Sequence, residues 1–214
     1  MQLYTYFRSS AAFRVRIALN LKGIAYEAEP VHLLRDGGRQ RTAAFAAVNP
    51  QRLLPVLEHD GHYLTQSLAI IEYLDEVTAE PRLLPLDPLG RARVRSLALA
   101  IACEIHPLNN LRVLQYLTET LGLSEEQKNG WYRHWVETGL AAVERRLAVE
   151  PETGRYCHGD RPTVADCCLV PQVSNARRYD CDLSAVPTLL RIYEQCMELE
   201  PFRKASPAAQ PDAE

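Results

Sequence analysis

The stretch Leu3-Tyr4-Thr5-Tyr6-Phe7-Arg8-Ser9-Ser10-Ala11-Ala12-Phe13-Arg14-Val15-Arg16-Ile17-Ala18-Leu19-Asn20-Leu21-Lys22-Gly23 decides the fold. Its first five residues are mostly aromatic or β-branched and read as a strand. Phe13, Ile17 and Leu21 then recur at helical spacing, and Gly23 stops that helix. Tyr26 to His32 forms a second strand, and a strand–helix–strand connection calls for parallel pairing. Residues 42–48 form a short helix closed by Asn49-Pro50. Val56-Leu57-Glu58-His59 and His62-Tyr63-Leu64-Thr65 flank Asp60-Gly61, two residues that tolerate the positive φ of a tight hairpin. His59 and His62 are read as exposed hairpin residues, because no further metal ligands stand near them. Ser67 to about Thr78 is an amphipathic helix with Leu68, Ile71 and Leu74 on one stripe. The order is β-α-β, α, β-β-α, an α/β domain over residues 1–80.

Working outward, Glu80-Pro81-Arg82-Leu83-Leu84-Pro85-Leu86-Asp87-Pro88 is rich in proline, and residues 81–87 are assigned as a linker. Beyond it the pattern is helical throughout, and residues 88–214 are predicted to form an all-helical bundle domain. Asp87-Pro88 reads as an N-cap and first-turn proline. The run Leu97 to Ala102 is apolar on every side and is expected at the centre of the bundle. Pro107 breaks that helix. Ser124-Glu125-Glu126-Gln127 is a capping box, and Thr163-Val164-Ala165-Asp166 is a second with Asp in the last place. A final helix spans Pro187 to Leu199, and the tail from Ala205 to Glu214 is too polar and proline-rich to be core.

Composition narrows the function. The 214 residues are 47% apolar and 24% charged, enough to bury a core. With 24 basic against 27 acidic residues, nothing draws the chain globally to nucleic acid or an acidic membrane. No apolar run approaches the ~20 residues of a spanning helix, and the opening residues lack a signal-peptide pattern. The six cysteines form no C-x-x-C pair and the six histidines show no ligand spacing. The expectation is a soluble cytoplasmic protein with reduced thiols and no metal.

Two helix starts carry candidate chemistry. Ser9 and Ser10 stand at the strand–helix junction, where a serine either caps the helix or donates its hydroxyl to an anion held by the helix dipole. A thiol bound there is pushed towards its thiolate, since its free pKa is about 8.5. Nothing nearby activates a serine for attack, so Ser9 and Ser10 are donors. Gln66-Ser67 opens the third helix, either as an N-cap or as a second anion site for a carboxylate. Leu54-Pro55 precedes the hairpin, and a cis bond there would expose the Leu54 backbone to an extended peptide ligand. Cis and trans are both open to the sequence.

Tyr6 to Leu19, with its Ser9-Ser10 and Arg14-Val15-Arg16-Ile17-Ala18-Leu19, closely resembles the signature of zeta-class glutathione transferases, the maleylacetoacetate isomerases. So do Asn49-Pro50, Leu54-Pro55-Val56, Gln66-Ser67-Leu68-Ala69-Ile70-Ile71-Glu72-Tyr73-Leu74 and Leu83-Leu84-Pro85. The likeness continues in Ile105-His106-Pro107-Leu108-Asn109-Asn110-Leu111, Thr163 to Asp166, Leu169-Val170-Pro171-Gln172-Val173 and Gln210-Pro211-Asp212. It covers the chain in order. The resemblance implies a thioredoxin-like domain plus a helical domain, a homodimer, and glutathione as a recycled cofactor. The implied reaction is cis–trans isomerisation of maleylacetoacetate or maleylpyruvate by reversible thiolate addition to the alkene.

By the same resemblance Ser9 and Ser10 face the sulfur, and Gln40, Leu54, Pro55, Gln66, Ser67, His106 and Asn110 hold the tripeptide. Arg8, Arg178 and, less directly, Arg112 take the carboxylates of the substrate, while Arg14 and Arg16 are read as structural. The family signature reads S-S-C, and Ala11 stands in the third place, so side activities that need a protein thiol are not expected. Two other readings stay open at this point. One is a general glutathione transferase conjugating small electrophiles; the other is a non-catalytic interaction module on the same fold.

Overall fold

In the computed structural model, which describes residues 1–214, the chain divides into two compact units. The first joins Met1–Leu83 to Met197–Glu214, and the second is Leu84–Cys196.

The first unit is built on a four-stranded sheet. Strand β1 (Gln2–Thr5) leads into helix α1 (Ser10–Leu21), and β2 (Glu27–Pro30) returns parallel to β1. A short helix α2 (Ala43–Val48), capped by Thr42, precedes the hairpin β3 (Val56–His59) and β4 (His62–Thr65), and α3 (Ser67–Val77) follows. The sheet order is β2-β1-β3-β4, with β3 antiparallel to both of its neighbours. Asp60 (φ 51°) and Gly61 (φ 77°) supply the left-handed pair that a two-residue hairpin turn requires. His59 is half-buried rather than exposed, and its Nδ1 pairs with Tyr73 Oη at 2.7 Å.

Alternation along β1 buries Leu3 and Thr5 on one face of the sheet. Leu3 lies across from Leu57, and Leu57 across from Leu64, so the register stacks apolar residues over the strands. Phe13, Ile17, Ile70, Ile71 and Leu74 of α1 and α3 complete this core. The expected stripe on α1 proves too narrow, because every residue from Ser10 to Leu19 is buried. Its other side is covered by Met197–Glu214, where α9 (Glu200–Ala205) packs along α1. Asn20 Nδ2 donates to Pro201 O at 2.9 Å, and Arg16 Nε donates to Ala205 O at the same distance.

Two expectations are therefore corrected. Residues 197–214, assigned with the helical domain 88–214, belong to the first unit, and the polar tail is fastened to it. Gln210 Nε2 donates to Lys204 O and Ser206 O, and Phe7 N–H donates to Asp212 Oδ2. Side-chain amides and carboxylates replace apolar burial as the means of attachment, which a hydropathy pattern does not register. The proposed linker is also packed: Leu83 and Leu84 are buried, and Leu83 N–H donates to Asp75 Oδ1 at 2.8 Å.

The second unit is helical. Helix α4 (Pro88–Leu99) is capped by Asp87, widens into a π-type turn at Ala100–Ile105, and ends in a short turn at Pro107–Asn109. Then come α5 (Leu111–Gln115), α6 (Glu125–Val149), α7 (Val164–Arg178) and α8 (Pro187–Met197). The capping boxes at Ser124 and Thr163 both form. Leu97, Ala98 and Ile101 are buried, but Leu99 is 45% exposed, so the run 97–102 presents one face to the core and not all of them. The spacing of Leu97, Ile101 and Ile105 follows a helical stripe facing α6 and α7. Gly139 of α6 permits the approach, since a Cβ there would come within 2.4 Å of Ile105 Cγ1. No helix is long and apolar enough to cross a membrane.

Candidate active site

Sheet register gathers four loops of the first unit at one end of the sheet. Thr5 of β1 lies beside Pro30 of β2, and Tyr4 beside Val56, which in turn faces Thr65 of β4. The exits of β1, β2 and β4 and the entrance to β3 therefore emerge together. These loops carry Arg8-Ser9, Gln40, Leu54-Pro55 and Gln66-Ser67.

Ser9 N–H closes the turn after β1 on Tyr6 O at 2.9 Å. Ser9 is the N-cap of α1 in extended geometry, and its Oγ accepts the Ala12 N–H at 3.2 Å. A hydroxyl oxygen that accepts from backbone keeps its own proton for another partner. Ser10 is the first helical residue and is 6% exposed. The remaining first-turn N–H groups and the dipole of this 12-residue helix make its mouth electropositive. Arg8 is exposed, with its guanidinium 4.8 Å from the Phe7 ring centroid.

A second helix mouth belongs to α3. Gln66, and not Ser67, occupies the cap position, with φ 68° and no capping bond from its side chain. A left-handed glutamine costs about 1–3 kcal/mol, and such residues cluster at ligand clamps. Its Nε2 instead donates to Gln51 Oε1 at 3.0 Å. Ser67 is buried and its Oγ accepts from Arg14 Nη1 at 3.2 Å. Arg14, 2% exposed, thus ties this helix mouth to α1. Gln51 is the residue that sequence reasoning missed here, and the structural reading of Arg14 left its partner, Ser67, unnamed. An arginine in a helix and a glutamine in a loop carry no local signal of such a role.

Gln40 is buried, its Nε2 donating to Leu33 O at 3.2 Å while Oε1 has no donor. Gly38 (φ 92°) makes room for it, since a Cβ there would lie 2.5 Å from Gln40 Oε1. The Leu54–Pro55 bond is cis, Asn49 Nδ2 holds Leu53 O at 2.8 Å, and the backbone of Leu54 takes no partner within the chain. A buried acceptor without a donor, a free backbone segment and two helix mouths with serines fit a peptide that carries a carboxylate and a thiol. The residues present therefore fit glutathione.

The second unit holds the remaining candidates. His106 lies between the π-type turn and Pro107, and Asn110 caps α5 by accepting the Arg112 N–H at 3.2 Å. Arg112 is exposed. Arg178, at the end of α7, is exposed and sits 5.0 Å from the Tyr179 ring centroid, and Tyr132 is buried. Tyr132 and Tyr179 stack at 3.7 Å. Burial pushes the Tyr132 phenol up, the Tyr179 ring adds to that, and Arg178 opposes it. Arg178 thus rests an exposed side chain against the stacked Tyr132–Tyr179 pair.

Residues 8–77 match the family model described as the glutathione S-transferase N-terminal domain. Over 211 residues the chain is 53% identical to the probable maleylacetoacetate isomerase of Vibrio cholerae, covering 99% of this chain and 97% of that protein. The holo structure of maleyl pyruvate isomerase, described as a bacterial glutathione S-transferase in the zeta class, superposes with a TM-score of 0.97 at 49% identity over all of both chains. Maleylacetoacetate isomerase from Methylobacterium extorquens, solved with malonate and glutathione bound, does so with a TM-score of 0.96 at 45% identity, again over both full chains. Identity of this level along the whole length, on a sheet and helix order read independently from the residues, leaves one assignment: the chain belongs to the zeta-class glutathione transferases, the family of the maleylacetoacetate and maleylpyruvate isomerases.

Proposed function

We infer that this chain is a glutathione-dependent isomerase that converts maleylacetoacetate or maleylpyruvate to its trans isomer. The observation that carries the reading is the pair of helix mouths, each with a serine, gathered at one end of the sheet beside a free Leu54 backbone. When bound, glutathione supplies a thiolate whose reversible addition to the alkene frees rotation about the carbon–carbon bond. Ser9 and Ser10 donate to that sulfur and, with the α1 dipole, hold it ionised. Gln66, Ser67 and the N–H groups of α3 take the γ-glutamyl carboxylate. Leu54 pairs with the peptide backbone beside Pro55, and Gln40, His106 and Asn110 contact the rest of the tripeptide. Arg8, Arg178 and Arg112 bind the carboxylates of the substrate, a task for which the planar guanidinium is suited.

The direct test mixes protein, catalytic glutathione and each cis substrate, and follows loss of the dienolate absorbance. Turnover with glutathione recovered unchanged is expected for at least one of them. Inertness towards both, or a faster build-up of stable conjugates with model halides, would favour a general transferase. Arg178→Ala should raise KM for the dicarboxylate about tenfold or more, the worth of one charge-assisted bidentate contact, while calorimetry finds glutathione affinity unchanged. Equal loss of both affinities would remove Arg178 from the substrate side.

The same reading makes the protein a cytoplasmic homodimer. Six free cysteines suit a reducing compartment. Leu89 and Leu99 of α4, 83% and 45% exposed, offer apolar surface of the kind that a second copy covers. A sedimentation mass of one chain would contradict the dimer.

A further inference from the structure

The position of the Ser9 hydroxyl depends on a turn, Tyr6-Phe7-Arg8, whose backbone groups are held from outside the turn. On the carbonyl side stands Arg16, wholly buried. Its Nη1 donates to Thr5 Oγ1 at 2.9 Å and Tyr6 O at 3.4 Å, its Nη2 to Phe7 O at 3.1 Å. On the amide side stands a residue 205 positions away: Phe7 N–H donates to Asp212 Oδ2 at 3.0 Å. Asp212 is itself fixed on both flanks. Gln210 Nε2 anchors the chain before it on Lys204 O and Ser206 O. After it, Glu214 Oε1 meets His32 Nε2 at 2.9 Å and Arg35 Nη2 at 2.6 Å, a contact that holds the Glu214 carboxyl below its ordinary range.

The second oxygen of Asp212 is the telling detail. Oδ1 is buried and has no hydrogen-bond partner. A carboxylate oxygen shut off from water without a donor costs stability on its own account, which points to a use for the bond that the other oxygen makes. That bond ends two residues before Ser9.

We propose that Asp212 is a positioning residue for the Ser9 hydroxyl, fixing the catalytic turn through the Phe7 amide while Arg16 fixes it through the carbonyls. This rests on the reading of Ser9 as the donor to the glutathione sulfur. The segment that the sequence pattern marks as a polar tail is then part of the active-site support. It acts without touching the substrate.

The test begins on the ligand-free protein. Asp212→Ala should speed hydrogen exchange at the Phe7 amide, whereas Asp212→Asn, which keeps an acceptor oxygen, should leave it near wild type. In the binary complex with glutathione, titration of the thiolate absorbance should show the bound sulfhydryl less acidic in Asp212→Ala. The matching fall in kcat is about tenfold, with KM for glutathione within about twofold. Asp212→Asn should restore both. If Asp212→Ala lowers only the melting temperature while Ser9→Gly shifts the sulfhydryl, the inference is overturned and the Ser9 reading stands. If Ser9→Gly leaves the sulfhydryl unmoved, the reading of Ser9 falls and takes the inference with it. Should Asp212→Ala not fold, Asp212→Glu, which displaces the oxygens by one methylene, must show the same acidity loss; wild-type behaviour overturns the proposal.

Discussion

Asp166→Ala is expected to cost about 3–5 kcal/mol and to lower the melting temperature by about 10 °C. Asp166 is completely buried at the start of α7. Its Oδ2 accepts from Thr163 N at 2.7 Å and Thr163 Oγ1 at 2.9 Å, and its Oδ1 accepts from Cys157 N at 2.9 Å. Removing the carboxylate strands two buried amides at once, each worth about 1–3 kcal/mol, and loosens a helix cap worth about 1 kcal/mol. Burial pushes the Asp166 carboxyl up, and the Cys157 and Thr163 amides pull against it. Asp166→Asn should fall between, because an amide can accept at one side only while its NH2 meets a donor on the other. Urea denaturation measures both variants, and a loss below about 1 kcal/mol for Asp166→Ala would show that water replaces the carboxylate at little cost.

The Asp166 box was legible because all its parts lie within four residues. The same holds for Ser124 with Gln127, for Asp87-Pro88, and for the Asp60-Gly61 turn. Where a cap is supplied from a distance, the sequence offers no such sign. Glu144, buried in α6, accepts the N–H groups of Thr188 and Leu189 at 3.0 and 2.9 Å and so starts α8 from another helix. Nothing in the spacing of Glu144 to Thr188 announces it. The return of residues 197–214 to the first unit is of the same kind. It depends on Arg16, Asn20 and Phe7 finding partners 189, 181 and 205 residues away.

The candidate site divides along the same line. Ser9 and Gln66-Ser67 were readable as helix starts, because dipole, cap and hydroxyl are local properties. Arg14 and Arg16 were read as structural through the resemblance, but their partners carry no local sign, since most charges in a helix are solvated. Their burial follows from elements that cover α1 on both sides, α3 on one and α9 on the other. Burial pulls the Arg16 guanidinium down to about 10, yet four acceptors surround it, and those bonds are what a cation needs inside a protein. The supports of the site are thus long-range even where its chemistry is short-range. Local signals marked Ser9, Ser10, Leu54-Pro55 and Gln66-Ser67, while the resemblance to a known family supplied their roles and pointed to Gln40, His106, Asn110, Arg112 and Arg178.

Ser9→Gly is expected to reduce kcat about a hundredfold while leaving the fold almost untouched, and this combination separates the two jobs of Ser9. As an N-cap, Ser9 accepts the Ala12 N–H. Alanine there would cost about 1 kcal/mol of helix stability, whereas glycine at a cap costs only a few tenths. As a donor to sulfur, the hydroxyl is irreplaceable by either. Ser9→Ala and Ser9→Gly should therefore share the same loss of turnover but differ in melting temperature. Ser10 is nine-tenths buried and already inside the helix, whereas Ser9 is half-buried at its mouth. Ser10→Ala should accordingly lower kcat by a smaller factor than Ser9→Ala. Kinetics at saturating glutathione, paired with thermal denaturation, checks the whole set. If Ser9→Gly and Ser10→Ala both turn over substrate at the wild-type rate, Ser9 is a cap and Ser10 a helix residue and nothing more, and the ionisation of the sulfur must come from the helix backbone alone.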